Sequence, residues 1–253
     1  MRFYSFVAKF LPLILAATYL SNAHGQLLRL VTPEEVGVSS QRIGRLDQIT
    51  QEAISQKKFP GAVILVARKG GIVYRKAFGY RMHAPKMVPL TVDTIFDIAS
   101  LTKIIPTAIC IMILVEEGRI SLSDPVSKYL NRFSQYGKHR VMIRQLLTHY
   151  SGLRPDLDLD SPWSGYKTAI SRAYRERLKS SPGKRFIYSD INYLILGELV
   201  RQVSGQHLDE FSRDRLFDPM GMHDTFFKPP FRLKHRIAPT QLRQGKLLHG
   251  EVH

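Results

Sequence analysis

Phe96-Asp97-Ile98-Ala99-Ser100-Leu101-Thr102-Lys103 opens a run that continues, almost without polar side chains, to Glu117 and stops at Gly118. The pattern predicts a long, central and buried helix, ended by a glycine and carrying a serine in its first turn. Ser100 and Lys103 stand three residues apart, so one helical turn sets hydroxyl and amine on a common face. There the amine can take the hydroxyl proton, provided burial or nearby positive charge lowers its pKa. The helix N-terminus also favours negative charge developing at the serine. Ser-x-x-Lys is a weak string by itself, for it recurs at Ser55–Lys58, Ser164–Lys167 and Ser181–Lys184. Ser55 closes a surface helix, Ser164 precedes Gly165 in a loop, and Ser181 precedes a Pro-Gly turn. Only Ser100 opens a buried helix that would hold both side chains in place. Taken alone, Ser100 reads first as an ordinary N-cap. Pro106, inside the same helix, predicts a bend one turn beyond Lys103.

Outward from this stretch, the chain divides into a short β-region before it and a helical region after it. Ser39 or Ser40 caps a helix to about Gln56, with Ile43, Leu46, Ile49 and Ile54 on one side. Ala62–Ala67 and Ile72–Phe78 read as strands joined by a turn at Lys69-Gly70-Gly71. After Gly118, short helices are predicted near Asp124–Leu130 and Ile143–His149, then over about Gly165–Leu178. Ser189 caps a helix through Val203 with Gly205 beyond its end, and a last helix covers about Leu208–Phe217. A lone hairpin cannot cover so much apolar helix, so further strands are expected from a longer protein or a partner chain.

Four segments, in order, carry a family resemblance. Residues 96–103 resemble the nucleophile segment of class C β-lactamases and related esterases and DD-peptidases. Leu146-Leu147-Thr148-His149-Tyr150-Ser151-Gly152-Leu153 resembles the same family's Leu-Leu-Thr-His-x-Ser-Gly-Leu stretch. Phe186-Ile187-Tyr188-Ser189-Asp190, continuing to Gly197, resembles its second catalytic motif, Tyr-x-Asn, and Leu216-Phe217-Asp218-Pro219-Met220-Gly221-Met222 fits the segment after that helix. The resemblance covers about Pro33 to the last residue.

What it implies is an α+β fold: a β-lactamase/transpeptidase-like αβα sandwich with a mainly helical subdomain, occupying residues 26–253 and lacking the C-terminal strands. Carried over by position, Ser100 is the acylated nucleophile, Lys103 its proton partner, and Tyr188 the phenol that relays a proton to the leaving group. Asp190 takes the substrate-binding position where the β-lactamase motif usually has Asn. An ionised Asp cannot donate to a substrate amide oxygen as Asn can, and beside Lys103 it would stabilise the ammonium. Asp190 is therefore expected to disfavour β-lactam turnover and to leave ester or peptide hydrolysis open. The implied substrate is a small-molecule or peptidoglycan-derived acyl compound, and no cofactor is implied. His149 reads as a hydrogen-bonded loop residue, and Tyr129 of a second Tyr-x-Asn string as a packing residue.

The family's third motif, Lys- or His-x-Gly on a strand after the tyrosine, is matched only by Lys69-Gly70-Gly71, which precedes the nucleophile. The resemblance makes that strand the source of one of two oxyanion donors. Losing one such donor costs about 2.7–4 kcal/mol of transition-state stabilisation, so this form is expected to be poorly active or misfolded.

The first 25 residues read as a secretory signal. Arg2 and Lys9 make a basic start, Phe10–Leu20 an apolar stretch, and Ala23-His24-Gly25 a small-x-small cleavage site. The stretch is short for stable membrane insertion, although a retained anchor is the alternative. Export places the protein in the periplasm or outside the cell. Cys110, the sole cysteine, lies among Ile109, Ile111 and Met112 and reads as a buried, inert thiol.

Net charge is +16, with basic clusters at 172–179 and 232–236. These lack interleaved aromatics, so they read as solvated surface, then as attraction to anionic cell-wall polymer, and not as a nucleic-acid site. His249-x-Glu251-x-His253 is not a His-Glu-x-x-His zinc motif, and no Gly-x-Ser-x-Gly elbow marks an α/β-hydrolase. The rival from another class is a non-catalytic cell-wall-binding or penicillin-sensing module using the same pocket.

Overall fold

Lys69 (φ 49°) and Gly70 (φ 76°) are consecutive left-handed residues. They close the two-residue turn that the twist of an antiparallel pair favours. This turn joins β2 (Gly61–Arg68) to β3 (Gly71–Met82), paired from Gly61↔Gly79 to Arg68↔Gly71. The computed structural model describes residues 28–158, 162–243 and 245–251, so the expected export signal lies outside the described residues. The hairpin is longer than the sequence pattern suggests and has company. β1 (Arg29–Leu30) runs parallel to β3, and β4 (Val88–Pro89) pairs with the far end of β3. A separate two-stranded ribbon, β5 (Leu242–Arg243) and β6 (Lys246–Leu247), lies near the C-terminal end of the described chain.

The predicted first helix is broken. Ser39 accepts a hydrogen bond from the Arg42 N–H (3.3 Å) and caps α1 (Ser40–Ile43), and Gly44 separates this turn from α2 (Arg45–Ser55). Ile49, expected on the buried side, is 60% exposed, while Thr50 is buried. Asp47 of α2 ties the helix to the sheet, accepting from the Tyr74 hydroxyl and from Lys76 at 2.6 Å.

The long helix departs from expectation in two ways. Hydrogen bonding widens to a π-helical register over Lys103–Ala108 before α3 (Ile109–Glu116). Pro106 supplies no N–H to the Thr102 carbonyl one turn back, and the Thr107 hydroxyl donates to that oxygen instead (3.1 Å). The proline is thus absorbed by a change of register. Nor is the helix buried all round: Cys110, Ile111 and Leu114 are sealed, whereas Leu101, Ile104 and Met112 are about half exposed. Among the described residues no element covers that second face.

The core is built on the sealed face. α4 (Ile143–Leu147), α5 (Tyr166–Arg175), α6 (Asp190–Ser204) and α7 (Leu208–Ser212) follow. α6 contributes Ile191, Ile195, Leu196 and Leu199, each wholly buried, against Ile111, Leu114, Ile143 and Leu146. Gly205, left-handed at φ 84°, ends α6 where expected. A π-helical turn, Arg213–Phe217, extends α7 to the predicted end of the last helix. Asp124–Leu130 yields only a short 3-10 turn at Val126–Lys128, where the Tyr129 hydroxyl donates to Asp124 (2.5 Å). Cys110 is buried, and burial pushes its thiol up to about 12, as expected of an inert sulfur. Among the described residues no helix is long and apolar enough to cross a membrane.

Candidate active site

The segment that carries Ser100 is set by a tight turn. The Asp97 carboxylate accepts the Ala99 N–H (2.8 Å), and Ala99 takes a left-handed conformation, φ 44°, that a residue with a Cβ adopts only when its surroundings impose it. From there the carbonyls of Ile98, Ala99 and Ser100 accept the N–H groups of Leu101, Thr102 and Lys103, each at 3.0 Å. Ser100 thus sits in the first turn, and Lys103 Nζ donates to its Oγ at 3.0 Å. Ser100 itself is exposed, while the Lys103 side chain is 14% exposed.

Tyr188 and Asp190 arrive from the start of α6, held by the 149–155 loop. The Ile187 N–H donates to the His149 carbonyl (2.9 Å), the Ser189 N–H to His149 Nδ1 (3.0 Å), and the Asp190 N–H to the Pro155 carbonyl (2.7 Å). Ser189 does not cap its helix as the sequence suggests. Its hydroxyl donates across to the Arg154 carbonyl (2.6 Å), fastening the turn to the loop. Gly152, at φ 86°, is required in this loop because a Cβ there would meet the Ser180 carbonyl.

The structure brings all four predicted site residues together. Asp190 Oδ1 lies 2.6 Å from Lys103 Nζ, and that ammonium stands 5.2 Å from the Tyr188 ring centre and 5.8 Å from that of Tyr193. Burial pushes the Lys103 amine down, but hydrogen bonding to Asp190 and Tyr188 outweighs it, and the net shift is upward. Lys103 is therefore held as an ammonium at neutral pH. It is a donor to Ser100 first and a base only after losing its proton.

A supporting layer stands behind Tyr188, and His149, expected as a hydrogen-bonded loop residue, is its centre. The His149 ring stacks on Tyr188 with centres 4.5 Å apart and also meets Phe186 and Tyr193. Asn192 Nδ2 approaches His149 Nδ1 (3.4 Å), and the buried Ser151 hydroxyl donates to Asn192 Oδ1 (2.6 Å). Burial lowers the His149 pKa, and the Lys103 charge lowers it further. A neutral ring accepting at Nδ1 carries its proton on Nε2. Beyond the 146–153 stretch, the sequence held a further signal for this layer: Asn192, a polar residue inside an apolar helical stretch.

Ser100 opens on a cavity of about 730 Å³ that extends past Asp190 to Phe226 and Phe227. The other motifs lie elsewhere. Lys69-Gly70-Gly71 forms the β2–β3 turn, Tyr129 bonds Asp124, and the His249 ring nitrogen Nε2 bonds the Ile237 carbonyl (2.9 Å). Among the described residues no group of three or more His, Cys, Asp or Glu side chains could hold a metal ion.

Comparison with known proteins bears on the family and the fold. The family profile described as Beta-lactamase matches residues 46–251. A protein of Escherichia coli O157:H7, provisionally named a D-alanyl-D-alanine carboxypeptidase, is 28% identical over 96% of this chain and 61% of its own length. An octameric penicillin-binding protein homologue from Pyrococcus abyssi is 31% identical, with a TM-score of 0.70 over 83% of this chain and 50% of that one. A class C β-lactamase, at 21% identity, has a TM-score of 0.72 over 83% of this chain and 57% of that chain, a likeness of fold. The chain thus spans about three-fifths of the length of the curated relative it matches.

Proposed function

The chain belongs to the β-lactamase family, and from that premise we propose that it is an exported serine hydrolase that cleaves an ester, amide or β-lactam through an acyl-enzyme on Ser100. The observation that carries this reading is the Lys103 amine, 3.0 Å from the Ser100 hydroxyl and flanked by Asp190 and the Tyr188 ring. In acylation, Ser100 Oγ forms a bond to the substrate carbonyl carbon as the bond to the leaving group breaks. The serine proton passes to Lys103, once that amine is free, and Tyr188 carries a proton to the leaving group. Water then cleaves the acyl-enzyme, releasing the acid and restoring the serine. The apolar stretch Phe10–Leu20 after Arg2 and Lys9 supports export.

The test is labelling of the intact chain with an uncharged alkyl fluorophosphonate, read by mass spectrometry. The phosphorus–oxygen bond formed at Ser100 replaces phosphorus–fluorine, and fluoride leaves. Expected is one adduct on Ser100, lost in Ser100→Ala and slowed at least about 10²-fold in Lys103→Ala. An adduct that survives Ser100→Ala, or no adduct at all, overturns the reading.

A further inference from the structure

Residues 125–154 include six Lys or Arg and no Asp or Glu, and residues 167–187 include seven against one acid, Glu176. The whole chain, by contrast, carries 37 basic and 21 acidic residues. The fold lays these two segments side by side. The Lys179 N–H donates to the Gly152 carbonyl (2.7 Å), the Gly183 N–H to that of Tyr150 (2.7 Å), and the Ile187 N–H to that of His149 (2.9 Å). The Lys138 ammonium ties them again at the Tyr174 and Glu176 carbonyls. The one carboxylate is taken, for Arg154 clasps Glu176 through two hydrogen bonds of 2.7 Å. Arg140, Arg144, Arg177, Lys179, Lys184 and Arg185 are all exposed, and among the described residues none of them has an ion-pair partner.

Exposed rings stand among these cations. Phe186 is 60% exposed, Tyr136 47% and Tyr150 39%. The Phe186 and Tyr150 rings meet edge-on with centres 5.9 Å apart, directly after Lys184 and Arg185, and the Arg177 guanidinium lies 4.8 Å from the Tyr136 ring centre. A hydrated phosphate polymer would answer the cations but leave the Phe186 ring in water. The headgroup layer of an anionic bilayer answers both, with phosphates for the Lys and Arg heads and an acyl boundary for the rings. We infer that this face docks on the surface of a bilayer rich in anionic phospholipid. The docking is peripheral, and each Lys or Arg close to the surface strengthens it about fivefold. The candidate site lies at the edge of the same face, because Phe186 is two residues from Tyr188 and both rings meet His149. Docking therefore holds that site beside the lipid surface, whether or not Ser100 is a nucleophile.

The experiment sediments the intact chain with vesicles of phosphatidylcholine alone, or of phosphatidylcholine and phosphatidylglycerol in equal parts. Expected is binding to the mixed vesicles and none to phosphatidylcholine alone. That binding should be lost at about 1 M salt, where the Debye length falls to about 3 Å. At low salt the double variant Lys184→Ala, Arg185→Ala should lower the partition coefficient about 25-fold, and Phe186→Ser about tenfold. Equal binding to both kinds of vesicle, no binding, or an unchanged partition in the folded variants overturns the inference. A loss on Phe231→Ser in place of Phe186→Ser overturns it too, since that exposed ring lies beside the other basic cluster. Capture by soluble polyphosphate or single-stranded DNA without vesicle binding overturns it in favour of a phosphate polymer.

Discussion

The helical half and the sheet half of this molecule are covered very differently. In α6, Ile191, Ile195, Leu196 and Leu199 are shut off from solvent on neighbours from α3, α4 and α7. In β2 no residue is fully buried, and Leu65 is 53% exposed. The candidate site cluster sits on the helical half. Tyr188 and Asp190 are fastened to the packed half through the 149–155 loop, while Ser100 and Lys103 start a helix with one sealed face and one open face. The packed half therefore aims the phenol and carboxylate, and Ser100 and Lys103 meet them from the start of a half-open helix.

The largest expected effect tests this contrast directly. Leu196→Ala should cost about 2–5 kcal/mol, the toll for emptying a sealed core position. Leu65→Ala should lie within about 0.5 kcal/mol of the parent, as for an exposed side chain. Urea midpoints of the two variants decide it, and a comparable loss for Leu65→Ala would mean that the sheet face is covered in solution.

A smaller effect belongs to Lys138, a wholly buried lysine of the helical half. Its ammonium donates to the Tyr174 carbonyl (2.9 Å) and to that of Glu176, at the end of α5, and faces the rings of Phe133 and Tyr136. Burial pushes its pKa from 10.5 down to about 8. Below pH 8 both folded and unfolded chains hold the proton, and the burial cost is fully felt. Between about 8 and 10.5 the unfolded chain binds more protons than the folded one, so stability rises with pH, at up to about 1.4 kcal/mol per pH unit. Lys138→Met should flatten that slope in urea titrations, and an equal slope in both proteins would locate the effect elsewhere.

The smallest effect on stability, though not on chemistry, concerns the partly exposed Lys103–Asp190 pair. Asp190 raises the Lys103 pKa against the pull of burial. Asp190→Asn removes that support, so the acidic limb of the pH–rate profile should move to lower pH as Lys103 becomes a base more readily. The amide also offers a donor that the carboxylate lacks, which should raise β-lactam turnover relative to ester turnover. Unchanged β-lactam and ester rates, with an unmoved limb, would show that Asp190 sets neither.

Much of this was present in the order of the residues. Hydrophobic periodicity marked α5 and α6, Gly205 marked the end of α6, and Lys69-Gly70 marked the hairpin turn, because each is dictated by neighbours within a turn or two of chain. The spacing of Ser100 and Lys103 placed both on one helical face for the same reason. Local pattern could not say that Ile49 faces solvent, that Pro106 is absorbed by a π-helical register, or that one side of the helix is bare. Those depend on which surfaces are opposite. The tertiary structure alone decided that His149 stacks on Tyr188 and that acidic residues from distant segments line one cavity in a basic protein. Contacts of this kind join segments remote in the chain, and charge and packing act through space at a range that no sequence spacing records.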